Sequence, residues 1–314
     1  MKKVVIALGG NAITREFEEG NIYQQFANTR RALVPVVDLI EKGYQVVLTH
    51  GNGPQVGNML IRVEESRDLV PPVPLGVIVA DLQGGMGYMI QQTLQNKLLA
   101  RGIDKKTITT VTQVLVDKDD PSIRNPTKFV GPIYKENQVE ELVYTRGWIM
   151  KEDIGRGWRR VVPSPIPREI VEQEIVCHLI EQGYVVLSCG GGGIPVYREN
   201  DGSLEGVDAV IDKDLASAVL ATTIRADALF ILTRVEQVAI NYASPNQENI
   251  LNMTIAQAEK WLAEGQFPAG SMGPKIQAAI NFLKAGGKEC IITSTEKLLD
   301  AIAGKSGTTI RRYN

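Results

Sequence analysis

The sequence predicts an α/β protein with a mainly parallel sheet covered by helices on both faces, and three observations point there. Apolar runs rich in β-branched residues show no polar alternation, as strands buried on two sides require. They alternate with segments of helical length and period. Three of the runs empty straight into a glycine turn: Val4–Leu8 into Gly9-Gly10-Asn11, Val46–Thr49 into His50-Gly51-Asn52-Gly53, and Val185–Leu187 through Ser188-Cys189 into Gly190–Gly193. Glycine lets successive N–H groups converge on one point, and a helix starting next adds its positive end, so such turns suit anions. Three of them imply an elongated, multiply charged ligand. At 314 residues the chain can bury a substantial core, and one continuous sheet system is the expected arrangement.

In order along the chain, helices are expected over Gln24 to Lys42, Gly76 to Arg101, Arg168 to Gln182 and Ile276 to Ala285, with another running from Pro54 past Gly57 through Glu64 and Glu65. Pro54 suits a first helical turn. One unit echoes another: Leu39-Ile40-Glu41-Lys42-Gly43-Tyr44 before the second strand recurs as Leu179-Ile180-Glu181-Gln182-Gly183-Tyr184 before the third. Each reads as a helix, a glycine C-cap and a strand. From Asp117 to Pro167 the composition changes to prolines, tryptophans and charges without long apolar strands. That stretch reads as an inserted subdomain, a lid or a structural arm.

Composition narrows the function. The formal net charge of -2, with no Lys/Arg block, argues against a nucleic-acid surface. The apolar run after Met1-Lys2-Lys3 stops at Leu8, and no later segment has the length of a membrane span, so a cytoplasmic location is expected. Cys177, Cys189 and Cys290 are scattered, which supports neither disulfides nor a zinc site. No GxxxxGK[ST] motif is present, and Gly51 to Gly57 is one residue longer than the dinucleotide fingerprint.

The chemistry-bearing residues are lysines with an acid among them. Asp212-Lys213-Asp214 stands between an apolar run and a small-residue helix, where Asp212 can cap the helix and Asp214 can hold Lys213 for a phosphoryl oxygen. Gly270-Ser271-Met272-Gly273-Pro274 leaves Lys275 in a first helical turn, unfavourable against the dipole unless something anionic compensates. Asn125-Pro126-Thr127-Lys128 puts a further lysine on a proline-stiffened loop of the insert. His50 and His178 have no triad partner in sequence; His50 reads as shaping its turn and His178 as structural. Backbone donors, several lysines and a metal around a transferring group suit phosphoryl transfer.

Taken together, Val5-Ile6-Ala7-Leu8-Gly9-Gly10-Asn11-Ala12, Thr49 to Gly57, Pro126-Thr127-Lys128, Gly190 to Val196, Val210 to Ala216 and Gly270 to Lys275 resemble the carbamate kinases of the amino acid kinase family. The resemblance spans nearly the whole chain. It implies that family's three-layer sandwich with an open, mainly parallel sheet, a protruding inserted subdomain, commonly a homodimer, and the reaction ADP + carbamoyl phosphate ⇌ ATP + carbamate with Mg²⁺ bridging nucleotide phosphates. It implies three parts: residues 1–116 with 168–200 for the acyl phosphate, 117–167 as a lid, and 201–314 for the nucleotide. Gly9, Gly10, Asn11, Gly51, Asn52 and Gly53 would hold the acyl phosphate, while Gly190 to Gly193 would shape the junction between the halves. Lys128, Lys213, Asp214 and Lys275 would be the catalytic set. Thr233, Tyr242, Phe267, Gly270 and Met272 would line the nucleotide site with Lys213 and Lys275. Relatives that phosphorylate amino-acid carboxylates resemble KxGG at the first strand, where this chain has Ala7, and the resemblance implies that Lys128 substitutes for that cation. Arg234, where Thr-Asp-Val is usual, departs from the wider family. An acetylglutamate-type kinase, or a non-catalytic nucleotide or anion binder, are the alternatives; Ala7 and Lys128 speak against the first, and the assembled lysines against the second.

Overall fold

The computed structural model describes residues 2–15, 17–153 and 156–313, with Asn11 placed by its backbone alone. Eight strands form the central sheet: β1 (Lys3–Leu8), β2 (Gln45–His50), β3 (Thr107–Thr109), β4 (Val185–Leu187), β5 (Ala228–Thr233), β6 (Asn252–Thr254), β7 (Glu289–Ser294) and β8 (Thr308–Arg311). Their order is β6-β8-β7-β5-β1-β2-β4-β3, and every pairing is parallel except β7 with β8. The strand period of two sorts side chains between two cores. Val5, Ala7, Val47, Val186, Leu229 and Ile231 face one; Val4, Ile6, Leu8, Val46, Leu48 and Phe230 face the other. Helices close both faces, so the expectation of a doubly covered sheet holds.

Five helices matter for the site: α1 (Gly10–Ile13), α2 (Gly53–Glu65), α3 (Leu75–Ala100), α4 (Lys213–Thr223) and α5 (Met272–Lys284). α1 and α2 follow directly from the ends of β1 and β2, and Pro54 occupies the first turn of α2. α3 packs on the β1–β2 face through Met86, Met89, Ile90 and Leu94. α4 and α5 lie on the other face, meeting through small residues that include Ala216, Ala218, Ala278 and Ala279.

Several expectations are corrected. The sheet is not one continuous system: a four-stranded sheet (Leu204–Gly206, Ile194–Arg198, Gln113–Leu115, Glu169–Ile170) and two smaller ones accompany it. The helix expected over Gln24 to Lys42 is two, Ile22–Ala32 and Val34–Glu41, because Pro35 has no N–H to continue the ladder and its ring crowds the preceding turn. The segment expected to be helical from Arg168 begins as the strand Glu169–Ile170, and helix follows only over Gln173–Glu181. The last predicted helix starts four residues early, at Met272, since Pro274 is tolerated in its first turn. The insert is not strandless: Lys128–Tyr134, Gly157–Val162 and Ile149–Asp153 form an antiparallel sheet. Those strands are only half-buried, so no apolar run announces them.

The insert sits on α2 and α3 rather than apart from the body. Val130 and Val162 join a cluster with Val56, Leu60, Ile78 and Val79, and Arg146 of the insert reaches Glu64 of α2 at 2.8 Å. Among the described residues no helix is long and apolar enough to cross a membrane.

The two echoed units end alike. Gly43 and Gly183 both have φ of 85°, and each closes its helix by N–H bonds back to Ile40 and Ile180. A Cβ at Gly183 would meet nothing within 4 Å, whereas at Gly193, also left-handed, it would overlap Val114. Gly183→Ala should therefore cost only the backbone strain, about 1 kcal/mol. Gly193→Ala should cost clearly more, because Val114 and its strand must move as well. Urea-unfolding midpoints of the two variants check the difference, and equal losses would contradict it.

Candidate active site

The centre of the site is a buried carboxylate held between two ammonium groups. Asp212 is the N-cap of α4, its Oδ1 accepting from the Asp214 and Leu215 N–H groups at 2.9 and 3.3 Å, and this fixes the direction of the next two side chains. Asp214, 2 % exposed, accepts from Lys213 Nζ on Oδ1 and from Lys275 Nζ on Oδ2 at 2.8 Å. Burial alone would raise the Asp214 carboxyl, but the two ammoniums outweigh it and bring it down to about 2. Lys213 is lowered by its burial, against the pull of Asp214 and with the like charge of Lys275 adding. Lys275, on α5, is raised, its desolvation overcome by Asp214. Asp214 is the anionic group that makes Lys275 tolerable at a helix start.

Lys213 also joins this centre to the first two glycine turns. A Cβ at Gly51 would come within 3.0 Å of Lys213 Cδ and 3.2 Å of the Gly10 nitrogen. A larger residue would have to push these neighbours aside. Gly9 is similarly compelled, since a Cβ there would lie 2.7 Å from the Leu232 carbonyl oxygen of β5. Gly10 and Gly53 stand at the first positions of α1 and α2, where N–H groups lack an intrahelical carbonyl. Asn52 is the N-cap of α2, yet its side chain does not cap it. Its buried Nδ2 has no hydrogen-bond partner, an arrangement that costs stability and leaves a donor for a ligand. The side chain of Asn11 lies outside the described residues.

Lys128 does enter the site from the insert. Its ammonium lies 3.3 Å from the Ile211 carbonyl oxygen and 3.5 Å from Asp212 Oδ2. The cation packed on the Gly10 and Gly51 turns is nevertheless Lys213, with Lys128 placed one residue before α4. The third turn is different in kind. Gly192 N–H and Gly193 N–H are bonded within the turn, to Cys189 O and Gly190 O at 3.0 and 3.1 Å, so they are not free to cradle an anion.

Beyond Lys275 opens a cleft of about 1030 Å³. Thr233, Tyr242, Phe267, Gly270, Met272 and Lys275 all line it, as does Asp212. Sequence reasoning missed Gln247 and Asn249 on its wall, polar residues in a hairpin with no motif to mark them. Arg234, which departs from the wider family, lines the cleft too, as does Gln237. None of the three cysteines does; Cys189 and Cys290 are buried, and desolvation pushes both thiols up.

A strand–glycine turn–helix cradle beside a lysine–aspartate–lysine clamp and a nucleotide-sized cleft defines a phosphoryl-transfer enzyme. A model of the amino acid kinase family matches residues 2–294, and the chain belongs to that family. It is 48% identical over 311 residues to a carbamate kinase of Pyrococcus horikoshii, covering 98% of this chain and 99% of that one. It is 47% identical to a carbamate kinase-like protein of Escherichia coli over 98% of both chains. Among solved structures, a carbamate kinase from Giardia lamblia bound to AMP-PNP superposes with a TM-score of 0.92 at 44% identity, covering 99% of this chain and 98% of that one.

His50 gives the site a pH dependence. It is 3 % exposed, and its Nδ1–H donates to Gly51 O at 3.3 Å. Burial, opposed by that bond and reinforced by Lys213, lowers its pKa from 6.5 to about 4. The folded chain holds the imidazole neutral where the unfolded chain takes up a proton, so unfolding gains a proton between these values. Stability present in full above pH 6.5 should fall as pH drops toward 4, by about 3 kcal/mol for a shift of this size. Urea unfolding at pH 7.5 and 4.5 should show this loss shrinking in His50→Asn; an undiminished loss in the variant would contradict the assignment.

Proposed function

We propose that the chain is an ATP:carbamate phosphotransferase, moving a phosphoryl group reversibly between carbamoyl phosphate and ADP to give ATP and carbamate. The observation that carries the reading is the Lys213–Asp214–Lys275 clamp, which joins the glycine turns on one side to the cleft on the other. In the ATP-forming direction the acyl phosphate lies against Gly9, Gly10, Gly51, Asn52 and Gly53, with Asn11 beside it. ADP occupies the cleft against Thr233, Tyr242, Phe267, Gly270 and Met272. A β-phosphate oxygen attacks the phosphorus, the P–O bond to the carbamoyl oxygen breaks, and carbamate leaves with the electron pair. No side chain is required as a nucleophile. Lys213 and Lys275 balance the charge on the group in flight, Asp214 holds both at fixed places, and Lys128 closes over the carbamoyl end from the insert.

Magnesium fits such a site as an ion carried by the nucleotide. The described residues contain no group of three or more His, Cys, Asp or Glu side chains placed to hold a metal, and both Asp214 oxygens are taken by lysines. Mg²⁺ keeps water and phosphate oxygens as ligands, and when bound it neutralises charge between the nucleotide phosphates. The division into an acyl-phosphate part (1–116 and 168–200), a lid (117–167) and a nucleotide part (201–314), a homodimeric assembly and a cytoplasmic location complete the proposal.

The test couples ATP formation from carbamoyl phosphate and ADP, with Mg²⁺, to glucose phosphorylation. Turnover is expected, and none would overturn the reading. Lys128→Ala should lower kcat by about 10²–10³-fold, the loss typical of one charge-stabilising donor. An unchanged kcat would return Lys128 to a structural role.

A further inference from the structure

Helix α3 buries a carboxamide on its apolar stripe, with Thr93 further along. Val79, Gln83, Met86 and Ile90 follow at helical spacing and are all buried, Gln83 being 1 % exposed. A buried carboxamide is costly unless every group is paired, and here the pairing is complete in kind. Gln83 Nε2 donates to Thr112 O at 3.1 Å and to Gly190 O at 3.0 Å, while Oε1 accepts from the Thr112 N–H at 2.7 Å. Two carbonyls on one side and an N–H on the other fix which end of the amide is which. The side chain thus ties α3 to the Gly190–Gly193 turn and to the residue that enters the strand Gln113–Leu115.

That turn needs tying. Cys189, Gly191, Gly192 and Gly193 all have left-handed backbones, with φ of 52°, 68°, 100° and 87°, a conformation that persists only when its surroundings enforce it. The turn in turn sets three parts of the site. A Cβ at Gly190 would lie 2.5 Å from His50 Nε2, one at Gly191 would overlap the Asn52 amide, and one at Gly192 would lie 2.5 Å from Ile211 O. Ile211 O is the carbonyl that receives Lys128. The cleft beyond Lys275 takes no part in these contacts, since neither Gln83 nor the turn lines it.

We propose that Gln83 is a positioning residue for the acyl phosphate: by fixing the height of the Gly190–Gly193 turn it places Asn52 and the Ile211 carbonyl beneath Lys128, and it leaves nucleotide binding untouched. The inference rests on the phosphoryl-transfer reading above. A misplacement of an ångström or less at a reacting centre is enough to cost one to two orders of magnitude.

The test uses the full chain and two variants of nearly unchanged volume. Gln83→Met removes every hydrogen bond; the KM for carbamoyl phosphate should rise about 10-fold or more while the KM for ADP stays within about twofold. Gln83→Glu faces two carbonyls and works only when protonated, so relative to the parent chain its defect should be present at pH 8 and shrink as pH falls to 6. His50, across Gly190, stays neutral over that range. Amide exchange of residues 188–194 and 50–53 should quicken in Gln83→Met, with 233–242 unchanged. Equal changes in both KM values, or lowered thermal stability with both KM values and exchange unaltered, would overturn the proposal. If Gln83→Met fails to fold, the pH series of Gln83→Glu decides, and a defect independent of pH counts against it. If the parent chain shows no turnover, the functional reading fails on its own, and the exchange of 188–194 and 50–53 decides the positioning role.

Discussion

One buried carboxylate holds the site together. Asp214 is the shared counter-ion of two lysines that come from different helices. Removing the carboxylate would leave two largely buried ammoniums facing each other without their counter-ion, a situation that costs several kcal/mol. The small residues along the α4–α5 contact are part of the same device. Alanines let the two helices approach closely, and only then can Lys275 span from the first turn of one to the second residue of the other. The packing of α4 against α5 thus brings two positive charges to one point.

That concentration of charge explains features that look unfavourable in isolation. Lys213 and Lys275 both sit at helix starts, against the helix dipole. Asp212 and Asp214 offset them, and Asp212 serves twice, capping α4 through Oδ1 and facing Lys128 through Oδ2. Three ammoniums against two carboxylates leave a net positive centre beside two helix N-termini. In the function proposed above, a transferring phosphoryl group would supply the missing negative charge.

Much of this was legible in the sequence, and the limits have physical causes. The strands of the central sheet announce themselves because both faces are buried, so Val4–Leu8 and Val46–Leu48 are apolar without interruption. Asp212, Lys213, Asp214 and Lys275 stood out because charge beside small apolar residues has no packing explanation. The insert's strands stayed hidden because half-buried residues such as Ile149–Asp153 mix charge with apolar side chains. The break at Pro35 was readable in principle but was overridden by the helical period on either side. Gln83 carried a usable signal, a glutamine in step with Val79, Met86 and Ile90, whereas its partners are main-chain groups from distant segments that no pattern reveals. Gln247 and Asn249 carried none, since their role depends on a hairpin folding back over the cleft.

The three glycine turns also resolve into two kinds. In the first two, glycine makes room for a close neighbour: the aliphatic stem of Lys213 against Gly51 and the carbonyl of Leu232 against Gly9. Their N–H groups at Gly10 and Gly53 open helices and point outward from them. In the third, the N–H groups of Gly192 and Gly193 turn inward onto their own carbonyls. Glycine is needed there because His50, Asn52, Ile211 and Val114 crowd it from four sides. The same residue type in the same strand–turn setting therefore serves opposite ends, exposing backbone donors in one case and removing bulk in the other. What distinguishes them is the φ sign: the third turn is left-handed at three successive glycines, which bends the chain back on itself within a single 3₁₀ turn over Gly190–Gly192. A turn so built spends the N–H groups of Gly192 and Gly193 on its own carbonyls and shapes the residues that lean on it.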